Sequence, residues 1–123
     1  MILVDTSVWI DHLHHGDAVL AGLLDRGDVL AHPFVIGELA LGRLHQRDIV
    51  LRLLQDLPQA NVARDGEVLR FINRQALFGL GIGYIDAHLL AAVRLTPDAL
   101  LWTHDKRLAA AADRHSLFAP FGN

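Results

Sequence analysis

Cysteine is absent from the 123 residues, which excludes disulfides, thiolate catalysis and zinc–thiolate sites. No apolar run approaches the ~20 residues of a membrane span. The N-terminus also lacks the basic region of a secretory signal, so a cytoplasmic protein is expected. Lysine is nearly missing: of eleven cations, ten are arginine and one is Lys106. Fourteen acids leave a net charge of −3, which argues against simple electrostatic binding of nucleic acid. Arginine's planar fork still suits phosphate oxygens, so a local basic rim stays open. Repeats, linkers and low-complexity segments are absent too, and the length predicts a single domain over residues 1–123. Apolar residues are plentiful, at 52% with a mean hydropathy of +0.29. A small interior cannot hold so much apolar surface, and part of it is expected to lie against a partner chain, with a homodimer or larger assembly.

The chain begins with a four-residue apolar run that stops at Asp5. Such a run reads as a buried parallel strand delivering a carboxylate to the carboxyl edge of a sheet, where open α/β sheets bind ligands. Helices are expected over Thr6–His14, Asp17–Arg26, the FVIGELALGRLH stretch after Pro33, Asp48–Leu57, Asp65–Phe78, Tyr84–Leu95 and Asp105–Arg114. Short strands are expected at Val29–Ala31 and Ala99–Trp102, with a weak one at Gln59–Ala63 and an edge strand at Leu117–Ala119 before the Pro120–Asn123 tail. Strands alternating with helices imply a parallel sheet covered on both faces. Trp9 and Trp102 fall in apolar elements and read as core.

Four acids stand out. Asp5 and Asp105 each follow a strand and, taken singly, are most simply N-caps of the helices behind them. Asp86 lies in the first turn of its helix, where a carboxylate complements the macrodipole. It shares a face with Leu90 and Val93, however, and a mere dipole partner would more naturally face water. Glu38 has Phe34 and Leu41 as helical neighbours and no basic residue within the preceding turn, so it reads as a buried carboxylate in need of a cation or a distant arginine. An α/β fold can gather all four at one sheet edge. Carboxylates so gathered require cations, and all-oxygen ligation selects Mg²⁺ or Mn²⁺ over Zn²⁺. The chemistry this suits is phosphoryl-ester hydrolysis.

In LVDTSVWID, HPFVIGELALG, GIGYIDAHLLAA and LLWTHDKRL the chain resembles the PIN-domain ribonucleases, specifically the VapC toxins of type II toxin–antitoxin pairs, over nearly its full length. The resemblance implies a three-layer α/β/α sandwich with a central parallel sheet. It also implies Mg²⁺- or Mn²⁺-dependent endonucleolytic cleavage of RNA and a VapB-type antitoxin as partner. Carried over by position, Asp5, Glu38, Asp86 and Asp105 are the metal-binding and catalytic acids, and Thr6, Ser7 and Thr103 match polar positions lining the site. His104 departs from the pattern by standing where relatives often carry arginine, which puts phosphate contact and its pH dependence in question.

Other constellations carry less. His12, His14 and His15 read as solvated surface residues, and His88 lies two positions from Asp86 on another face. GLGIG lacks the spacing of a dinucleotide fingerprint and reads as a turn setting the helix of Asp86. A phospho-accepting receiver domain would need paired acids after the first strand. A haloacid-dehalogenase-type phosphatase would need an acid where Ser7 stands. The remaining rival is a non-catalytic PIN-like module that binds RNA or protein. Such modules typically lose site acids, whereas all four are present here.

Overall fold

The computed structural model describes residues 1–121, so Gly122 and Asn123 of the expected tail lie outside the described residues. Three strands form its sheet: β1 (Ile2–Val4), β2 (Val29–Leu30) and β3 (Leu100–Trp102), in the order β2-β1-β3, all parallel. β1 is buried along its length, as a central strand covered on both faces must be. Ile2, Leu3 and Val4 stand beside Leu100, Leu101 and Trp102. That register decides the site, because it places Asp5 next to Thr103 at the carboxyl edge.

Among the described residues seven helices surround the sheet: α1 (Thr6–His15), α2 (Ala18–Asp25), α3 (Pro33–Leu41), α4 (Arg47–Asp56), α5 (Asp65–Arg74), α6 (Tyr84–Leu95) and α7 (Lys106–Arg114). α1 packs on α3, α3 on α4, and α5 on α6, while α6 and α7 lie against β3. The expected three-layer α/β/α architecture is therefore borne out. α6 is the most enclosed helix, buried from Ala87 to Val93. Trp9 and Trp102 are both in the core, Trp102 without exposed surface and edge-on to Phe121.

Several boundaries differ from the sequence reading. α3 stops at Leu41 rather than running on to His45, because the backbone becomes extended at Gly42. α5 ends at Arg74 and not Phe78, where Ala76 takes a left-handed turn. The expected strand at Gln59–Ala63 contracts to one parallel pairing of Gln59 with Ala31. The expected edge strand at Leu117–Ala119 likewise contracts to one pairing of Phe118 with Leu101. Both flanks are cut short by local geometry: Pro58 has no N–H to donate, and Ser116 is left-handed just before Leu117. They extend the sheet at both edges without lengthening it.

His32 ends the β2 segment and caps α3, its Nδ1 accepting the Phe34 N–H at 3.0 Å. It is fully buried, and burial, followed by the charge of His88, holds its imidazole down to about 4. An unfolded histidine titrates near 6.5, so folding excludes a proton from this ring between about pH 6.5 and 4. Stability is consequently expected to fall as pH drops through that window, by up to ~3 kcal/mol at 1.36 kcal/mol per unit. Urea unfolding at pH 7.5 and 4.5 measures the fall. His32→Asn, which keeps a capping acceptor but cannot titrate, should make it shallower, and an equal fall in both proteins would contradict the assignment.

Candidate functional site

Asp5 leaves β1 as its last buried residue, 7% exposed. It occupies the N-cap position of α1, yet its side chain caps no amide. Instead Oδ2 accepts hydrogen bonds from the Thr103 hydroxyl at 2.7 Å and the Ser7 hydroxyl at 2.9 Å. The capping explanation of Asp5 is thereby removed. Thr103 in turn accepts the backbone N–H of Asp105 at 3.0 Å, and Ser7 accepts that of His104 at 3.1 Å. Two hydroxyls therefore clamp the first acid to the turn carrying the last one.

Asp105 does cap its helix. Oδ1 accepts the N–H groups of Arg107 and Leu108 at 2.9 and 3.0 Å. Asp86 closes a box at the start of α6, Oδ2 accepting the Gly83 N–H at 2.9 Å. Glu38 lies on α3 with Oε1 accepting the Thr6 hydroxyl at 2.7 Å. The sequence placed Glu38 on a buried apolar face, and this is corrected: Glu38 is exposed. α3 packs inward through Val35 and Leu39, whereas Leu41, on the side of Glu38, is 91% exposed. Glu38 opens instead on a groove of about 290 Å³ lined by Ile10, Leu13 and Leu44.

One arrangement recurs in all four acids. Each holds one oxygen to donors of the fold, while its second oxygen has no hydrogen bond among the described residues. The four also act on one another electrostatically. Asp86 has its carboxyl pushed above the usual range, first by burial and then by the charges of Asp5, Asp105 and Glu38, against the lowering effect of the Gly83 N–H. Like charges that act on one another favour a proton or a cation among them. Among the described residues no three acidic or histidine side chains are drawn close enough to enclose an ion as they stand. The donor set is nonetheless all oxygen, with hydroxyls behind it, and fits a hard divalent cation.

Two further features were not legible in the chain. Arg107 puts a cation in the first turn of α7, where the macrodipole disfavours it. It packs on Gly81, a left-handed residue whose added Cβ would meet Arg107 Nη1 at 2.5 Å. The misplaced charge was the only available signal for that contact. Asp65 Oδ1 accepts the Tyr84 hydroxyl at 3.0 Å and pairs with His88 Nε2 at 3.1 Å, joining the starts of α5 and α6. Residues 19 and 23 positions apart give no local sign of this. His104 is held by Asp11, its Nδ1 2.7 Å from Oδ2, and so is not a free substitute for arginine.

Comparison with known proteins identifies the family. Residues 2–114 match the PIN domain family. The chain is 55% identical over 111 residues to Ribonuclease VapC32 from two strains of Mycobacterium tuberculosis, covering 90% of each chain. The chain therefore belongs to the PIN-domain proteins and, within them, to the VapC ribonucleases.

Proposed function

We propose that the chain is the toxin of a type II toxin–antitoxin pair and hydrolyses RNA phosphodiester bonds with Mg²⁺ or Mn²⁺ held by Asp5, Glu38, Asp86 and Asp105. The observation that carries this reading is the hydroxyl clamp on Asp5, whose Oδ2 is held by Ser7 and Thr103 against the turn of Asp105 while Oδ1 has no hydrogen bond among the described residues. A purely structural acid at this position would cap α1, and the Asp5 side chain does not. The non-catalytic alternative is disfavoured, since all four acids are present and the similar proteins are named ribonucleases.

When bound, the metal supplies activation of the attacking water and stabilisation of the leaving oxygen. The chain's own groups do the rest. Ser7 and Thr103 orient Asp5, Thr6 orients Glu38, and backbone amides orient Asp86 and Asp105, so each acid presents one oxygen with little freedom to turn. No side-chain base in this set is placed to draw a proton from a ribose 2′-hydroxyl. Products are therefore expected to carry 5′-phosphate and 3′-hydroxyl ends. Cleavage that persists in excess EDTA or in Asp5→Asn, or products ending in 2′,3′-cyclic phosphate, would sink the mechanism.

The partners are proposed from the family and from the apolar surface together. Leu41, Ile49 and Leu53 are 91%, 51% and 62% exposed on α3 and α4. We assign this apolar surface to an amphipathic segment of a VapB-type antitoxin and to a second copy of the chain, giving a homodimer or larger assembly. Among the described residues no helix is long and apolar enough to cross a membrane.

A further inference from the structure

A groove of about 350 Å³ runs between α5 and α6, lined by Glu67, Arg70, Phe71, Arg74, Ala91 and Arg94 among others. Three of the ten arginines meet there. None forms an ion pair among the described residues. The single acid in the lining, Glu67, holds Oε1 to the Arg64 N–H at 2.9 Å and forms no ion pair with the three among the described residues. Arg94 stacks over the Phe71 ring at 5.7 Å, which places a guanidinium plane and an aromatic face on one floor.

The fold has little use for this collection. Arg70 and Arg74 are four positions apart on one helix, where like charges repel by a few tenths of a kcal/mol. Arg74 and Arg94 lie in the last turns of α5 and α6, and dipole complementarity accounts for one cation at each end. It accounts neither for Arg70 nor for the absence of an ion pair at any of the three among the described residues. Unpaired guanidinia over an aromatic ring, in a chain of net charge −3, form a receptor for a polyanion with stackable rings.

We propose that the α5–α6 groove binds the phosphodiester backbone of single-stranded RNA, holding a segment a few nucleotides away from the bond that is cut. The proposal rests on the ribonuclease reading above. Asp86 and Arg94 are eight residues apart on α6, which sets the acids and the groove about 12 Å apart along the helix axis. A strand spanning that interval meets repulsion at one end and attraction at the other. Its grip then comes from the arginines and its chemistry from the acids, and the groove selects substrates with unpaired residues flanking the cleaved bond.

The test is fluorescence anisotropy of a labelled single-stranded RNA in EDTA, where no metal-dependent cleavage intervenes, at several salt concentrations. Arg70→Gln/Arg74→Gln/Arg94→Gln should bind at least about tenfold more weakly than wild type. Its log–log salt slope should shrink by about 2, the value for three phosphate contacts at ~0.7 each. The corresponding triple lysine variant should recover most of the slope. Arg26→Gln/Arg47→Gln/Arg52→Gln removes the same charge outside the groove and should change the slope by less than half as much. Equal losses in the two glutamine variants would reduce the effect to net charge and overturn the proposal. So would an unchanged slope, or selective loss of binding to a polyglutamate peptide, which would assign the groove to an acidic protein segment. Cleavage of the same RNA by wild type with Mn²⁺, run in parallel, tests the ribonuclease reading separately from the groove.

Discussion

Replacing Asp86 with asparagine is expected to abolish RNA cleavage and at the same time raise the metal-free melting temperature. Asparagine keeps the shape and an acceptor oxygen for the Gly83 N–H, so the start of α6 survives. What disappears is a charge that burial and three neighbouring carboxylates disfavour. A carboxyl whose folded pKa lies above its unfolded value binds a proton more readily in the folded state, so its ionised form opposes folding at neutral pH. The gain in the asparagine variant should then be largest near pH 7 and fade as pH falls below the folded pKa. About 1 kcal/mol in a domain of this size corresponds to ~2–5 °C. The variant should also lose most of the stabilisation that wild type draws from Mn²⁺, because that term requires binding to the folded state. Asp25→Asn, on the exposed face of α2, should do neither. Thermal melts of the three proteins in EDTA and in excess Mn²⁺ decide the matter. If Asp86→Asn melts lower without metal and keeps the full metal shift, Asp86 is a structural residue.

Thr103→Val should reduce cleavage by ~10–100-fold, the usual effect of removing a group that orients a metal ligand. Valine has nearly the same volume as threonine, so packing beside β3 is preserved. It takes away the 2.7 Å bond to Asp5 and the acceptor for the Asp105 N–H, the one side chain that joins the first and last acids directly. On the proposed reading Thr103 positions Asp5, and its loss should appear as a higher Mn²⁺ concentration for half-maximal cleavage. Because Asp5 is buried, losing a partner should also cost about 1–3 kcal/mol of stability. Thr103→Ser restores the hydroxyl and should recover both properties. A valine variant with wild-type dependence on Mn²⁺ would show that Ser7 alone suffices to hold Asp5.

Much of this fold is written in local pattern. The apolar run before Asp5 is a buried central strand, the two tryptophans are core, and the Leu90 and Val93 stripe beneath Asp86 is enclosed. Glu38 shows where local pattern misleads. Its apolar neighbours at helical spacing, Phe34 and Leu41, suggest an inward stripe, but α3 turns Val35 and Leu39 to the core and leaves Leu41 in the open. A helix only about half of whose surface is covered can carry apolar residues on either side, and periodicity does not say which side meets the sheet.

The sequence by itself determined the pattern of groups: which elements end in a carboxylate, that no thiol competes with them, and that hydroxyls follow the first and precede the last. Only the tertiary structure decided who holds whom. Thr103 reaches Asp5 across 98 positions because the parallel register of β1 and β3 sets their ends side by side. Three arginines from two helices become one groove because α5 packs on α6. Contacts of this kind depend on where rigid elements pack, and packing is settled by the whole core at once.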